Sequence, residues 1–261
     1  MRLNHKIVLV TASTRGIGLA IVRKCAQEGA RVYMAARDLD RARQIARTLN
    51  GVQCVYNDAT KPETFASMVD AVVSDAGGID VLVNNFGTSN PARDLDFANT
   101  DPQVFLDTVN LNLRSVFMAS QAAAKHMAAR GGGSIINISS VGGLVPDISQ
   151  VAYGTSKAAI NHLTKLIAVQ EARHRIRCNA VLPGMTATEA VENHLSPDFK
   201  ALFLRHIPLG RMGLPEEIAE AVCYFASDDA AYTTGQILTV SGGFGMATPV
   251  YGDLADKTTR R

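Results

Sequence analysis

A chain of 261 residues with 47% hydrophobic and 19% charged side chains is long enough for one well-filled globular domain, since α/β folds commonly run to this length undivided. The formal charge of +2 is mild and the Lys and Arg are dispersed, which argues against a nucleic-acid or membrane-surface footprint and leaves small molecules as the expected partners. Cys25, Cys54, Cys178 and Cys223 lie far apart with no CxxC spacing, so buried free thiols in a reducing compartment are expected. Met1 to Lys6 has no signal-peptide core, and no window approaches the roughly 18 apolar residues of a membrane span, so a cytoplasmic enzyme is the simplest expectation.

Taken in chain order, short β-rich runs recur at Ile7 to Val10, Val32 to Ala35, Val52 to Tyr56, Val81 to Val83, Ile135 to Ile138, Arg177 to Val181 and Ile237 to Val240. Most are continuously apolar, as strands covered on both faces should be. Helical patterns alternate with them: Gly16 to Glu28, Asp38 to Leu49, Pro62 to Ala76, Pro102 to Ala129 and Tyr153 to Arg173, most ended by Gly or Asn-Gly. This alternation implies a doubly wound parallel sheet with helices on both faces, and right-handed crossovers put the ligand site beyond the carboxyl ends of the strands. Residues 186 to 212 break the pattern and read as a lid over that edge. A helix resumes at "GLPEEIAEAV" with Pro215 in its first turn, and residues 244 to 261 form a tail. No repeat or linker divides the chain, so residues 1 to 261 read as a single domain.

"VTASTRGIG", Val10 to Gly18, joins the first strand to a helix whose free N–H groups suit a pyrophosphate, with Gly16 and Gly18 permitting close approach. A two-glycine turn equally suits an ordinary strand-to-helix loop, and Ala12 stands where such turns carry their first glycine. The second strand ends Ala35-Ala36-Arg37, where NAD-binding folds place an acid for the ribose. A guanidinium there suits a 2′-phosphate, and Arg15 supplies a second cation from the turn, so NADP(H) is the expected cofactor. The alternative is that both arginines are surface charges and Asp38 takes the ribose.

Tyr153 and Lys157, four apart in "YGTSK", project from one helix face. Ser140 lies thirteen positions before Tyr153, just after a strand. Singly each has a structural reading; together they bring hydroxyl, phenol and ammonium to the ligand edge. His5, His126, His162, His174, His194 and His206 have no metal-ligand spacing, so no metal is expected.

The turn "TASTRGIG", "VNNFG" at Val83 to Gly87, Asn112, Ser140, Tyr153, Lys157, "NAVLPG" at Asn179 to Gly184 and "TGQILTVSGG" at Thr234 to Gly243 follow one order. With these the sequence resembles the short-chain dehydrogenase/reductase family from its first strand to about Gly243. The resemblance implies a Rossmann-type sheet of seven parallel strands and an oxidoreductase moving a hydride between NADP(H) and a secondary alcohol or ketone. It implies Tyr153 as general acid/base, Lys157 on the nicotinamide ribose lowering the tyrosine pKa, Ser140 on the substrate oxygen, and Asn112 supporting a proton relay. Bringing a tyrosine from about 10 to about 7 needs roughly 4 kcal/mol of preference for the phenolate. An ammonium about 4 Å away at an effective dielectric near 20 supplies about that much before desolvation.

Cofactor contacts implied by the resemblance come from Thr11, Ser13, Thr14, Arg15, Gly16, Ile17 and Gly18, from Arg37, and from Asp58 and Ala59 near the adenine. Asn84 is implied to support cofactor and sheet, and Pro183, Gly184, Thr186 and Thr188 to face the carboxamide. Two departures stand out: Ala12 is tolerable if its φ is negative, and Phe86 replaces a small residue, either touching substrate or packing inward.

Within the family the chain looks most similar to bacterial NADP-dependent hydroxysteroid dehydrogenases acting on bile acids, particularly at the 7α position, through "VNNFGTSN", "VPDISQVAYGTSKAAIN" and the tail "GGFGMATPVY". Met185, Ala187, Ala190, Val191, Leu195, Phe199 and Phe203 could cover a steroid or simply form lid core, while Phe244, Met246, Pro249, Val250 and Tyr251 face a pocket or a neighbouring subunit. Arg205 or a tail residue is placed to meet an acidic side chain. A 12α- or 3-hydroxysteroid dehydrogenase, a 3-ketoacyl-thioester reductase, and a non-catalytic NADP-binding regulator are the alternatives. A homotetramer through the two long helices is implied by the resemblance.

Overall fold

The sheet runs β3-β2-β1-β4-β5-β6-β7 with every neighbouring pair parallel, in a computed structural model that describes residues 1–193, 195–248 and 250–258. Of the residues singled out above, His194 and Pro249 lie outside the described residues, as do the side chain of Ala190 and the last three tail positions. The strands are β1 (Ile7–Thr11), β2 (Arg31–Ala36), β3 (Val52–Tyr56), β4 (Val81–Asn84), β5 (Gly133–Ile138), β6 (Ile176–Pro183) and β7 (Ile237–Val240). The helices are α1 (Gly16–Gln27), α2 (Leu39–Ala46), α3 (Glu63–Ala76), α4 (Pro102–Arg130), α5 (Val151–Gln170), α6 (Glu189–Glu192), α7 (Pro197–Leu204), α8 (Pro215–Ala226) and α9 (Tyr251–Thr258).

The apolar strands are explained by two buried clusters, one on each face. Val8, Val10, Val32, Met34 and Val83 pack under Ile21 and Val22 of α1 and Ile218 and Val222 of α8. Leu9, Tyr33, Leu82 and Ile135 pack under Phe65 and Met68 of α3 and Ala119 and Met127 of α4. Alternate residues of one strand serve opposite layers, so the doubly wound arrangement needs an uninterrupted apolar run. Each buried Val, Leu, Ile, Phe or Met among them contributes about 1.5–3 kcal/mol.

Two helices depart from their expected bounds. Asp38 is the cap of α2, its carboxylate accepting from the Arg41 amide at 3.0 Å, and α2 ends at Ala46. The catalytic-side helix α5 begins two residues before Tyr153 and ends at Gln170, with a separate 3₁₀ turn at Ala172–His174.

The chain leaves β1 toward β2 on one side, and after β3 it crosses to β4 on the other. The crevice at the carboxyl ends of β1 and β4 is therefore the switch point where such sheets take ligands. Residues 186 to 212 contain α6 and α7 and are closed at their base, where Gly213 N donates to Met185 O at 2.9 Å and Ala187 N to Gly213 O at 2.8 Å.

Candidate active site

The β1–α1 turn is built around a strained residue. Ala12 has φ +50°, contrary to the negative φ expected of a tolerated methyl, and costs about 1–2 kcal/mol relative to an ordinary conformation. Asn85 holds it there: its Nδ2 donates to Thr11 O at 3.1 Å and to Ala12 O at 3.0 Å. Thr11 Oγ1 accepts from the amides of Asn85 and Phe86 at 2.9 and 3.1 Å, so its side chain braces the β4 loop. Gly18 is demanded by proximity, because a Cβ there would lie 2.7 Å from Ala12 O.

This turn leaves donors free. The amides of Gly16, Ile17 and Gly18 have no acceptor among the described residues, and the buried Ser13 Oγ has no partner. Arg15 and Arg37 are exposed and make no side-chain hydrogen bond or salt bridge among the described residues, though Arg37 acts electrostatically on Asp58. Unpaired amides at a helix start with exposed guanidinium groups after the adjacent strands β1 and β2 fit a phosphorylated dinucleotide. Asp58 follows β3 on the same edge; its Oδ1 accepts from Thr60 N and Oγ1, which hold the carboxyl below its ordinary range. Ala59 is buried, its carbonyl accepting from Arg114.

Ser140, Tyr153 and Lys157 all line one cavity of about 1180 Å³, as do Ile17, Pro183, Gly184, Thr186 and Thr188. Thr188 caps α6 through the Val191 amide and approaches Gly16, so the lid begins directly over the turn. Ser140 Oγ accepts from Gly142 N at 3.1 Å, and its hydroxyl lies close enough to the Tyr153 phenol to favour the phenol's ionised form. Lys157 is 3% exposed; its Nζ donates to Ile138 O at 2.9 Å and lies 5.6 Å from the Tyr153 ring centroid. Gly87 makes room for it, since a Cβ there would be 2.9 Å from Nζ.

The electrostatics differ from the simple ammonium-phenolate picture. Burial pushes the Tyr153 phenol above its ordinary value, with the Ser140 hydrogen bond pulling the other way, and Lys157 does not figure in the balance. Burial also brings Lys157 down to about 8. The protein alone therefore keeps the phenol protonated.

Other expected residues lie behind the cavity wall. Asn112 is fully buried: its Nδ2 donates to Thr88 O at 2.9 Å and Ser156 Oγ at 3.0 Å, and its Oδ1 accepts from Thr88 N at 2.8 Å. Asn84 points into the sheet, its Nδ2 donating to Ser120 Oγ of α4 at 2.9 Å and to Asn137 Oδ1 of β5 at 2.8 Å, while its buried Oδ1 has no partner among the described residues. Phe86 packs against the core beneath α3 and α4.

The lid lines the cavity with Met185, Val191, Leu195, Phe199 and Phe203, and Phe244 of the tail stacks on Phe203 with centroids 4.8 Å apart. Arg205 is engaged with Asp253 of α9 at 2.8 Å, whereas His206 faces the cavity. Phe97 and Ile148, which the sequence reading passed over, are exposed at its rim. Asp94 and Asn85 were likewise missed, because their partners lie 58 and about 74 residues away. Among the described residues no His, Cys, Asp or Glu cluster could hold a metal, the four cysteines are free, and no helix is long and apolar enough to cross a membrane.

The family model described as "Enoyl-(Acyl carrier protein) reductase" matches residues 11–245. A 7alpha-hydroxysteroid dehydrogenase of Clostridium sardiniense is 47% identical over 256 residues, covering 97% of this chain and 98% of that protein. A 3alpha-hydroxysteroid dehydrogenase of Mediterraneibacter gnavus is 39% identical, covering 93% of this chain and 98% of that protein. A solved 7 alpha-hydroxysteroid dehydrogenase complexed with NADH and 7-oxo glycochenodeoxycholic acid superposes with a TM-score of 0.87 at 33% identity, covering 93% and 95% of the two chains. With this fold, this site and these likenesses, the chain belongs to the short-chain dehydrogenase/reductase family of oxidoreductases.

Proposed function

We propose that the chain interconverts the 7α-hydroxyl and 7-ketone of bile acids using NADP(H). The observation that carries this is its 47% identity to a 7alpha-hydroxysteroid dehydrogenase along nearly the whole of both chains. The apolar lid supports it, because a rigid hydrocarbon needs a large apolar wall with few polar groups. His206 is the wall residue assigned to the acidic side chain, since Arg205 is engaged by α9.

The amides of Gly16 to Gly18, with Ser13 and Thr14, are assigned to the pyrophosphate, Lys157 to the nicotinamide ribose, and Pro183, Gly184, Thr186 and Thr188 to the carboxamide end. Arg15 and Arg37 are assigned to the 2′-phosphate, and Asp38, turned back to cap α2, does not compete. When bound, the dinucleotide supplies or accepts the hydride. Ser140 Oγ holds the substrate oxygen and the Tyr153 hydroxyl moves the proton at that oxygen, donating in reduction and accepting in oxidation. Lys157 Nζ is held by Ile138 O on the face of the tyrosine ring.

The 39% likeness to a 3alpha enzyme favours carbon 3 as a second reading. Bile acids bearing single 3α, 7α, 7β or 12α hydroxyls, assayed for NADPH formation and product regiochemistry, separate the two. Turnover of the 7α compound alone supports the proposal; turnover confined to another position, or none, overturns it. We also propose a cytoplasmic homotetramer, supported by the exposed Leu106, Phe117, Leu166 and Val169 on α4 and α5; a monomer in sedimentation would overturn the assembly.

A further inference from the structure

α5 carries Tyr153 in its first turn, yet it has no cap of its own. Gln150, at its start, has φ +58° and makes no side-chain cap bond. The orphan amides of this turn must be satisfied by something else, and every one is met from the loop after β4. Gln150 N donates to Asp94 O at 3.2 Å and Val151 N to Leu95 O at 3.2 Å. Ala152 N donates to Asp94 Oδ1 and Tyr153 N to Asp94 Oδ2, both at 2.9 Å.

Asp94 is a 0% exposed carboxylate with no cation in ion-pair range among the described residues. Two amides and the positive end of α5 are what stabilise its charge. The same loop also reaches the other side of the tyrosine. Tyr153 O accepts from Ser156 Oγ at 2.7 Å, Ser156 Oγ accepts from Asn112 Nδ2, and Asn112 bonds both backbone groups of Thr88. Ser89 Oγ donates to Gln150 Oε1 at 2.5 Å. Both peptide groups of Tyr153 are thus tied to residues 88–95, which follow directly on the strand facing the switch point.

We propose that Asp94 is a positioning residue for the reaction: its carboxylate fixes the backbone of Tyr153, and so where the phenol sits against Ser140 and the substrate oxygen. This rests on Tyr153 being the acid/base proposed above.

The test is Asp94→Asn, which keeps the shape but puts an NH2 against one of the two amides. With the turn holding nucleotide untouched, the nucleotide Kd stays within twofold while kcat, per nucleotide-binding site, falls at least tenfold. A helix cap that served folding alone would leave kcat per nucleotide-binding site, and the KM for the alcohol, as in the parent. If Asp94→Asn does not fold, Asp94→Glu keeps charge and acceptors but lengthens the arm, and it lowers kcat at least fivefold with an unchanged nucleotide Kd. A kcat within twofold of the parent in the folded variant overturns the proposal. Tyr153→Phe is assayed alongside: if it retains activity, the acid/base reading fails and this inference with it. If it is inactive, the outcome at Asp94 is judged on its own.

Discussion

The starts of α1 and α5 present the same problem and solve it oppositely. Each follows a residue of positive φ, Ala12 at +50° and Gln150 at +58°, and neither Arg15 nor Gln150 supplies a side-chain cap. At α1 the amides of Gly16, Ile17 and Gly18 stay unpaired among the described residues, with Arg15 and Arg37 exposed nearby. At α5 the carboxylate of Asp94 and the carbonyl of Leu95 take the corresponding amides. An open helix start is an anion site for something from outside, while a closed one is a rigid base for a side chain that must not wander.

The comparison can be broken most severely at the closed end. Tyr153→Phe is expected to lower kcat about 10²–10⁴-fold, the usual worth of a general acid/base, while leaving nucleotide affinity nearly unchanged. Isothermal titration beside steady-state kinetics checks both, and substantial residual turnover would reject the role. At the open end, Arg37→Asp should shift the NADP(H)/NAD(H) preference toward NAD(H) by about tenfold or more, since it replaces a charge-assisted partner with a repulsive one. An unchanged ratio of kcat/KM values would remove the 2′-phosphate assignment.

The buried Lys157 offers a stability readout. Its folded value of about 8 lies below the ordinary 10.5, so between those pH values the unfolded chain binds more protons and stability rises with pH. The full effect is about 3 kcal/mol, and Lys157→Met should flatten this part of a denaturant-midpoint profile against pH. A slope that survives the substitution would assign it elsewhere. Because burial also keeps the Tyr153 phenol protonated, alcohol oxidation should speed up as pH rises from neutral, whereas ketone reduction should not. Progress curves in the two directions from pH 6 to about 10, spanning the ordinary tyrosine value, check this.

The smallest effect sharpens the comparison at the strained residue. Ala12→Gly relieves the left-handed conformation but gives the unfolded chain more freedom, leaving a gain of about 0.5–1 kcal/mol. A rise in Tm with unchanged nucleotide affinity is expected; a fall would mean that the turn is not strained there.

What could be read in advance follows from the range of the forces involved. Seven β-rich runs between helical patterns gave the strand positions within one or two residues, because the inner strands, covered on both faces, must be apolar throughout, while the edge strands β3 and β7, partly exposed, kept enough β-branched and apolar residues to be read. Tyr153 and Lys157 were readable because helical periodicity is local, and Ser140 because it ends a strand on the ligand edge. The positive φ of Ala12 was not legible because it is held by Asn85, a residue from another strand end. The size of the desolvation at the phenol was not legible because it is a property of the surrounding wall, not of the Tyr153-Lys157 spacing.

The amino-acid order by itself determined the layered sheet, the edge on which ligands bind and the hydroxyl, phenol and ammonium brought there, since these depend on periodicity and strand-helix alternation. Only the tertiary structure decided which groups Asn112 and Asn84 bond, that Phe86 packs inward, and that Asp94 closes α5 while α1 stays open. Those outcomes depend on hydrogen bonds and burial between residues tens of positions apart, whose meeting no local pattern encodes.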